Sequence, residues 1–193
     1  MKQSLIINAH PDEQSFCRAL AESYLAGALK AGSDSELIHL KQLQFNPILQ
    51  YGYRKRTELE PDLLEIQEKI KAADHLVFVY PTWWSTYPAL LKGFIDRVFI
   101  PGFAFDRKEN SVFHNKLLKG KSARLITTMD SPAWYYRLIY RSAGHRSLKT
   151  GTLKFCGISP VKITSYQIIK TSTPQQREKW LQKTKKLGFR DSL

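Results

Sequence analysis

The segment His75-Leu76-Val77-Phe78-Val79-Tyr80 is the most constraining feature of this chain. It is a continuous apolar run rich in β-branched and aromatic residues, set between Asp74 and Pro81. A strand with one wet face alternates polar and apolar residues; a run without alternation belongs to a strand covered on both faces, which is the central position of a parallel sheet. The neighbouring segments fit that placement. Ser4 to Ala9 reads as a first short strand, and Phe16, Leu20, Tyr24 and Ala28 follow at helical spacing. Glu36 to Leu40 is a second strand, and Pro61 to Ala73 an amphipathic helix with Leu63, Ile66 and Ile70 on one face. After the central run, Pro88 opens a helix carrying Leu91, Phe94, Ile95, Val98 and Phe99, with proline tolerated in its first turn. Ala123 to Met129 and Val161 to Tyr166 are two further strands, and Pro174 to Leu187 a closing helix.

Such alternation of strand and helix predicts an α/β chain: a flavodoxin-like, doubly wound, five-stranded parallel sheet with helices on both faces. The 193 residues are read as a single domain, without repeat or linker. In that architecture ligands bind outside the carboxyl ends of the strands, so the loops after the first, third and fourth strands are the candidate site.

Several function classes are disfavoured. The N-terminal apolar stretch is too short for an export signal and no run approaches the ~18 residues of a membrane span, which predicts a cytoplasmic protein. Cys17 and Cys156 lack any metal-ligand or disulfide spacing, so no metal is expected and both are read as reduced thiols. The net charge of +13, concentrated from Arg137 to Lys186, attracts polyanions or phosphorylated small molecules. No nucleic-acid-binding module accompanies it, and the basic face is read as solvated.

The first loop, from His10 to Phe16, is neither a Gly-x-Gly-x-x-Gly nor a Walker loop. It ends where a helix begins, so the N–H groups of Phe16 and Cys17, with Ser15 and His10, form a possible phosphate cradle; alternatively Asp12 or Ser15 only caps the helix. The second loop, Pro81-Thr82-Trp83-Trp84-Ser85-Thr86-Tyr87-Pro88, sets paired tryptophans at a strand tip between two prolines. A planar ring lying against Trp84 or Trp83 accounts for them; so does coverage of a neighbouring loop or a subunit contact.

Together these blocks resemble the flavodoxin-like NAD(P)H:quinone oxidoreductases, the DT-diaphorase-like family in its short bacterial form. The matching residues are His10 with Ser15-Phe16, Phe45-Asn46-Pro47, Ala72-Ala73-Asp74, Tyr80-Pro81 with Trp83-Trp84, Pro88-Ala89 with Leu91-Lys92-Gly93, Asp96-Arg97-Val98-Phe99, Gly102 to Phe105, Thr127-Thr128 and Phe155-Cys156-Gly157. The resemblance implies flavin phosphate and ribityl contacts at His10, Ser15, Phe16 and Cys17, and ring contacts at Pro81, Thr82, Trp83, Trp84 and Ser85, with Thr127 and Thr128 as the third flavin loop. It implies Tyr135 and His145 as the catalytic pair that stabilises reduced flavin, and Phe105 as an aromatic roof over the substrate pocket, contributed by the neighbouring subunit of a homodimer. Arg177 resembles the arginine at the adenylate end of FAD, one residue out of register, which favours FAD over FMN. Met129-Asp130 stand where the long animal enzymes carry two glycines. The implied chemistry is flavin chemistry: hydride passes from NAD(P)H to flavin N5 and then to a quinone-like acceptor, in ping-pong order. The positive charge tilts the donor toward NADPH. A competing reading is a regulatory subunit of a membrane transport system on the same fold.

Overall fold

The computed structural model describes residues 1–107 and 114–193. Five parallel strands form the main sheet: β1 (Ser4–Asn8), β2 (Glu36–His39), β3 (His75–Pro81), β6 (Ser122–Met129) and β7 (Val161–Gln167), in the order β2-β1-β3-β6-β7. The five expected strands lie within a residue or two of their expected bounds. Side chains of a strand alternate between faces, and the alternation splits the interior into two cores. Leu5, Ile7, Leu76, Phe78 and Leu125 point to the face covered by α2 (Pro61–Ala72) and α3 (Ala89–Val98). Ile6, Val77, Val79 and Ile126 point to the face covered by α1 (Phe16–Lys30) and α6 (Pro174–Ser192). All seven residues of β3 are buried, which is why that run carries no alternation.

Local chemistry sets the helix starts. Ser15 caps α1 by accepting from the Arg18 N–H at 3.3 Å, and Thr173 caps α6 by accepting from the Gln176 N–H at 3.2 Å. Helix α6 runs five residues beyond Leu187, because its last turn is held from below: Asp191 is buried and accepts from the guanidinium of Arg124 and from the Tyr24 hydroxyl. The close crossing of α1 and α6 depends on glycine, since a Cβ on Gly188 would lie 2.0 Å from the Tyr24 carbonyl oxygen and one on Gly27 1.9 Å from that of Lys185. On the other face, Arg97 of α3 is buried and pairs with Glu60 at 2.7 Å while donating to the carbonyls of Asn46 and Glu58. It thereby fastens the long connection before α2 to the core.

Several features have no counterpart in the expected elements. An antiparallel pair, β4 (Phe105–Arg107) with β5 (His114–Lys116), stands apart from the main sheet. Two short helices, α4 (Ala133–Leu138) and α5 (Ala143–Arg146), follow β6. From α5 the chain continues without a break into a π-helix over Ser147–Lys154, a rare geometry that clusters near functional sites.

Candidate active site

The sheet order reverses between β1 and β3, so the chain leaves them in opposite directions and opens a crevice at their carboxyl ends. The loop after β6 closes its far side. Direct bonds tie the three loops together: the Ala9 N–H donates to the Val79 carbonyl at 2.9 Å, and the Thr82 N–H donates to the Thr128 carbonyl at 2.7 Å.

The first loop is a series of tight turns. The His10 N–H donates to Asn8 Oδ1, the Asp12 N–H to His10 Nδ1 at 3.0 Å, and the Gln14 N–H to Asp12 Oδ1 at 2.9 Å. Because His10 Nδ1 accepts, the ring proton sits on Nε2, which is left as a donor. Burial lowers the His10 pKa, an effect only partly opposed by the charge and N–H of Asp12, so the ring is neutral at pH 7. The Phe16 and Cys17 N–H groups at the start of α1 have no acceptor among the described residues. With the helix dipole behind them, they suit an anion. Ser15 caps the helix beside them, its Oγ accepting from the Arg18 N–H. Cys17 offers only its N–H: the thiol is buried against Thr128 Oγ1 at 3.3 Å, and burial pushes it up to about 12. Arg177 lies beside the cradle, its guanidinium 5.6 Å from the Phe16 ring centre and bonded to Ser172 Oγ and the Ile169 carbonyl.

The second loop is a two-residue hairpin turn. Trp83 and Thr86 exchange both backbone hydrogen bonds at 2.9 Å, and the residues between them, Trp84 (φ 48°) and Ser85 (φ 61°), are left-handed. This is a type I′ turn, whose central positions favour asparagine and glycine. Holding other residues there costs roughly 1–3 kcal/mol each, a strain typical of ligand clamps. The turn presents the Trp84 side chain 99 % exposed, while Trp83 packs edge-on against His10 at 5.5 Å. Pro81 is buried, and Thr82 Oγ1 is buried without a hydrogen-bond partner. A buried hydroxyl pays for lost water unless something pairs with it. An orphan donor-acceptor beside an aromatic turn, across a crevice from unpaired N–H groups, fits a ligand with a flat polar ring and a phosphate.

At the third loop, Thr127 and Thr128 end β6 in buried positions. Thr127 donates to Ser165 Oγ at 2.9 Å and faces His145 Nε2 at 3.2 Å. Its one proton being used, Thr127 accepts from His145, which carries its proton on Nε2. Burial lowers the His145 pKa to about 4, so the imidazole is neutral at pH 7. The aromatic partner of His145 is Tyr136, edge-on at 4.9 Å, whereas Tyr135 sits at the surface against Trp134 and Tyr140. Tyr135 and His145 are thus in neighbouring segments but not in ring contact. Phe105 is gathered elsewhere, edge-on to Phe155 at 5.0 Å, in a cavity of about 320 Å³ that it shares with Tyr87, Phe99, Ser147 and Phe155. Tyr87 links that cavity to the tryptophan loop through its hydroxyl, 3.1 Å from Ser147 Oγ.

A family model described as flavodoxin-like fold matches residues 2–187. The mouse ribosyldihydronicotinamide dehydrogenase [quinone] is 30 % identical over 217 residues, covering 96 % of this chain and 92 % of its own. The chain belongs to the flavodoxin-like NAD(P)H:quinone oxidoreductase family. It is an oxidoreductase of the NAD(P)H dehydrogenase (quinone) type. Among solved structures, the NAD(P)H:quinone oxidoreductase of Methanothermobacter marburgensis superposes with a TM-score of 0.82 at 26 % identity, covering 100 % of this chain and 98 % of that one. An FMN-dependent NADH-azoreductase of Bacillus anthracis, solved with FMN, shares the fold with a TM-score of 0.79 at 22 % identity and full coverage of both chains (100 % and 100 %).

Tyr136 and Gly144, both bonded to the Ser85 carbonyl of the tryptophan turn, carry no sequence signal of their own. Tyr136 adjoins Tyr135 in an aromatic run, and no local signal distinguishes the two. Among the described residues no helix is long and apolar enough to cross a membrane, and no cluster of three or more His, Cys, Asp or Glu is placed to hold a metal. Both cysteines are free and buried.

Proposed function

We propose that the crevice between β1, β3 and β6 holds a flavin, through which the protein moves two electrons from NAD(P)H to a quinone or similar flat acceptor, one substrate leaving before the other binds. The observation that carries this reading is the orphaned Thr82 hydroxyl beside the tryptophan turn, on the same carboxyl edge of the sheet as the unpaired N–H groups of α1. When bound, the flavin supplies the hydride chemistry, which no side chain performs. The protein's residues bind and orient. Phe16 and Cys17 N–H, Ser15 and His10 Nε2–H take the phosphate; Pro81, Thr82, Trp83, Trp84 and Ser85 take the ring; Thr127 and Thr128 close the third side. His145, neutral with its one N–H given to Thr127, holds that residue in place and would bear on the reduced cofactor through it, while Tyr135 would balance the cofactor's charge by hydrogen bonding. Arg177 beside the α1 start supports FAD, and the Bacillus anthracis structure with FMN supports the alternative. The exposed apolar residues of α4 and its flank, Trp134, Leu138 and Ile139, support a homodimer in which Phe105 of one copy serves its partner's site. The protein acts in the cytoplasm on this reading.

The test is direct. Purified protein should be yellow and bleach anaerobically with NAD(P)H, and denaturation should release one equivalent of FAD or FMN. A colourless protein that takes up neither flavin on reconstitution would overturn the reading. The ring contacts have their own test. Trp84→Ala should weaken flavin affinity by about one to two orders of magnitude, the roughly 1–3 kcal/mol of an aromatic stacked on a flat ring. Trp83→Ala, whose side chain is already engaged by His10, should cost less. Unchanged affinity in Trp84→Ala with a lost dimer would make Trp84 a subunit contact instead.

A further inference from the structure

The strained Trp84–Ser85 turn has no glycine to make it comfortable, and what holds it lies in the next loop. The Tyr136 hydroxyl donates to the Ser85 carbonyl at 3.1 Å and accepts from the Gly144 N–H at 3.1 Å, while the same N–H donates to the Ser85 carbonyl at 3.0 Å. Three polar atoms from three segments thus meet in one triangle. Tyr136 is 4 % exposed, so these bonds are shielded from competing water. Gly144 is there for room: a Cβ at that position would lie 2.7 Å from Thr86 Cα and 2.8 Å from the Ser85 carbonyl oxygen. The segment that brings Gly144 in is itself unusual, since Arg141 (φ 48°) and Ser142 (φ 51°) are left-handed just before α5. The other edge of the Tyr136 ring meets His145, and His145 reaches Thr127 at the end of β6.

We propose that Tyr136 and Gly144 are positioning residues: they clamp the left-handed Trp84–Ser85 turn from the loop after β6, so that the third loop of the site sets the shape of the second. The role toward the cofactor rests on the flavin reading above; the clamp itself is a property of the apoprotein. Neither residue is among those assigned to the proposed ring. They act on it through the turn, whose backbone would relax toward right-handed conformations once the triangle is broken.

Tyr136→Phe is the decisive variant, because it keeps the ring against His145 and removes only the hydroxyl. In apoprotein titrated with FAD and with FMN and followed by flavin fluorescence quenching, it should bind about tenfold more weakly, the loss of one shielded hydrogen-bonded pair. Amide exchange of Gly144 in the apoprotein should accelerate by a similar factor, while the far-ultraviolet circular dichroism stays native. The rescue separates the clamp from a general loss of packing. Ser85→Gly supplies the residue a type I′ turn prefers, so in that background Tyr136→Phe should cost about twofold or less. Gly144→Ala should weaken flavin binding at least as much as Tyr136→Phe. Native affinity and unchanged Gly144 exchange in Tyr136→Phe would overturn the clamp, as would an equal loss in both backgrounds. Failure of the wild-type protein to bind either flavin would sink the cofactor reading, and the exchange experiment would still decide the clamp.

Discussion

Asp191→Ala is expected to destabilise the protein by about 3–5 kcal/mol, the usual consequence of removing one partner of a buried ion pair. The Asp191 and Arg124 side chains are 2 % and 3 % exposed, and the guanidinium grips the carboxylate through both Nε and Nη2. Burial by itself would push the Asp191 carboxyl up, but the hydrogen bonds and charge of Arg124 outweigh it and hold the group below its ordinary value. Tyr24 of α1 donates to the same carboxylate at 3.1 Å. Hydrogen bonds from β6 and α1 therefore meet at a carboxylate carried by α6, with His75 of β3 and Lys162 of β7 at 3.8 and 3.7 Å. Without it the Arg124 charge stays buried, bonded to Thr164 Oγ1 at 2.8 Å but with no carboxylate partner among the described residues. Urea unfolding at pH 7 measures the loss. The double variant Arg124→Met with Asp191→Leu should be less destabilised than Asp191→Ala alone, because it removes the stranded charge as well as the bond. A loss below about 1 kcal/mol in Asp191→Ala would mean that the pair is hydrated, as surface pairs are.

Acidification between pH 6.5 and about 4 is expected to cost roughly 3 kcal/mol for each of two buried histidines, His75 and His145, both lowered from 6.5 to about 4. Burial is the main cause for each. At His75 the nearby Asp191 opposes it, and Arg124, Lys2 and Lys162 add to it. In this window the unfolded chain takes up a proton that the folded histidine refuses. The unfolded state binds more protons, so stability rises with pH and is lost as the pH falls, until both states are protonated near pH 4. His10 and His39 are shifted in the same direction, again by burial first. Asp191 acts outside the window, its contribution disappearing only below its depressed pKa. Unfolding free energies from urea titrations at pH 7, 6, 5 and 4.5 give the slope, and His75→Gln or His145→Gln should each flatten it by about one proton. A wild-type stability that is flat from pH 7 to 4.5 would show that neither ring is desolvated in the native state.

The sequence by itself determined the elements of the sheet and their order. Apolar periodicity, capping residues and prolines are local signals, and they placed five strands, α1, α2 and α3 within a few residues and the start of α6 at Pro174. The unalternating run of β3 determined that helices cover both faces, because only a doubly buried strand can be apolar throughout. The separate blocks around His10, Trp83-Trp84 and Thr127-Thr128 also determined which loops converge, since the carboxyl ends of parallel strands share one edge. Tertiary structure alone decided the rest. In the six-residue α4, adjacent residues point about 100° apart, and the docking of that turn, not its sequence, puts Tyr136 inward against His145 and Tyr135 outward. Arg124 reads in sequence as one more cation of a basic chain, yet it is buried against a carboxylate 67 residues away. Gly144, Gly188 and Gly27 look alike on paper and differ only in what their missing Cβ would strike. The physical reason is the same in each case: local preferences depend on neighbours along the chain, whereas these contacts depend on which face of one element meets another, and that is settled only when the two cores close.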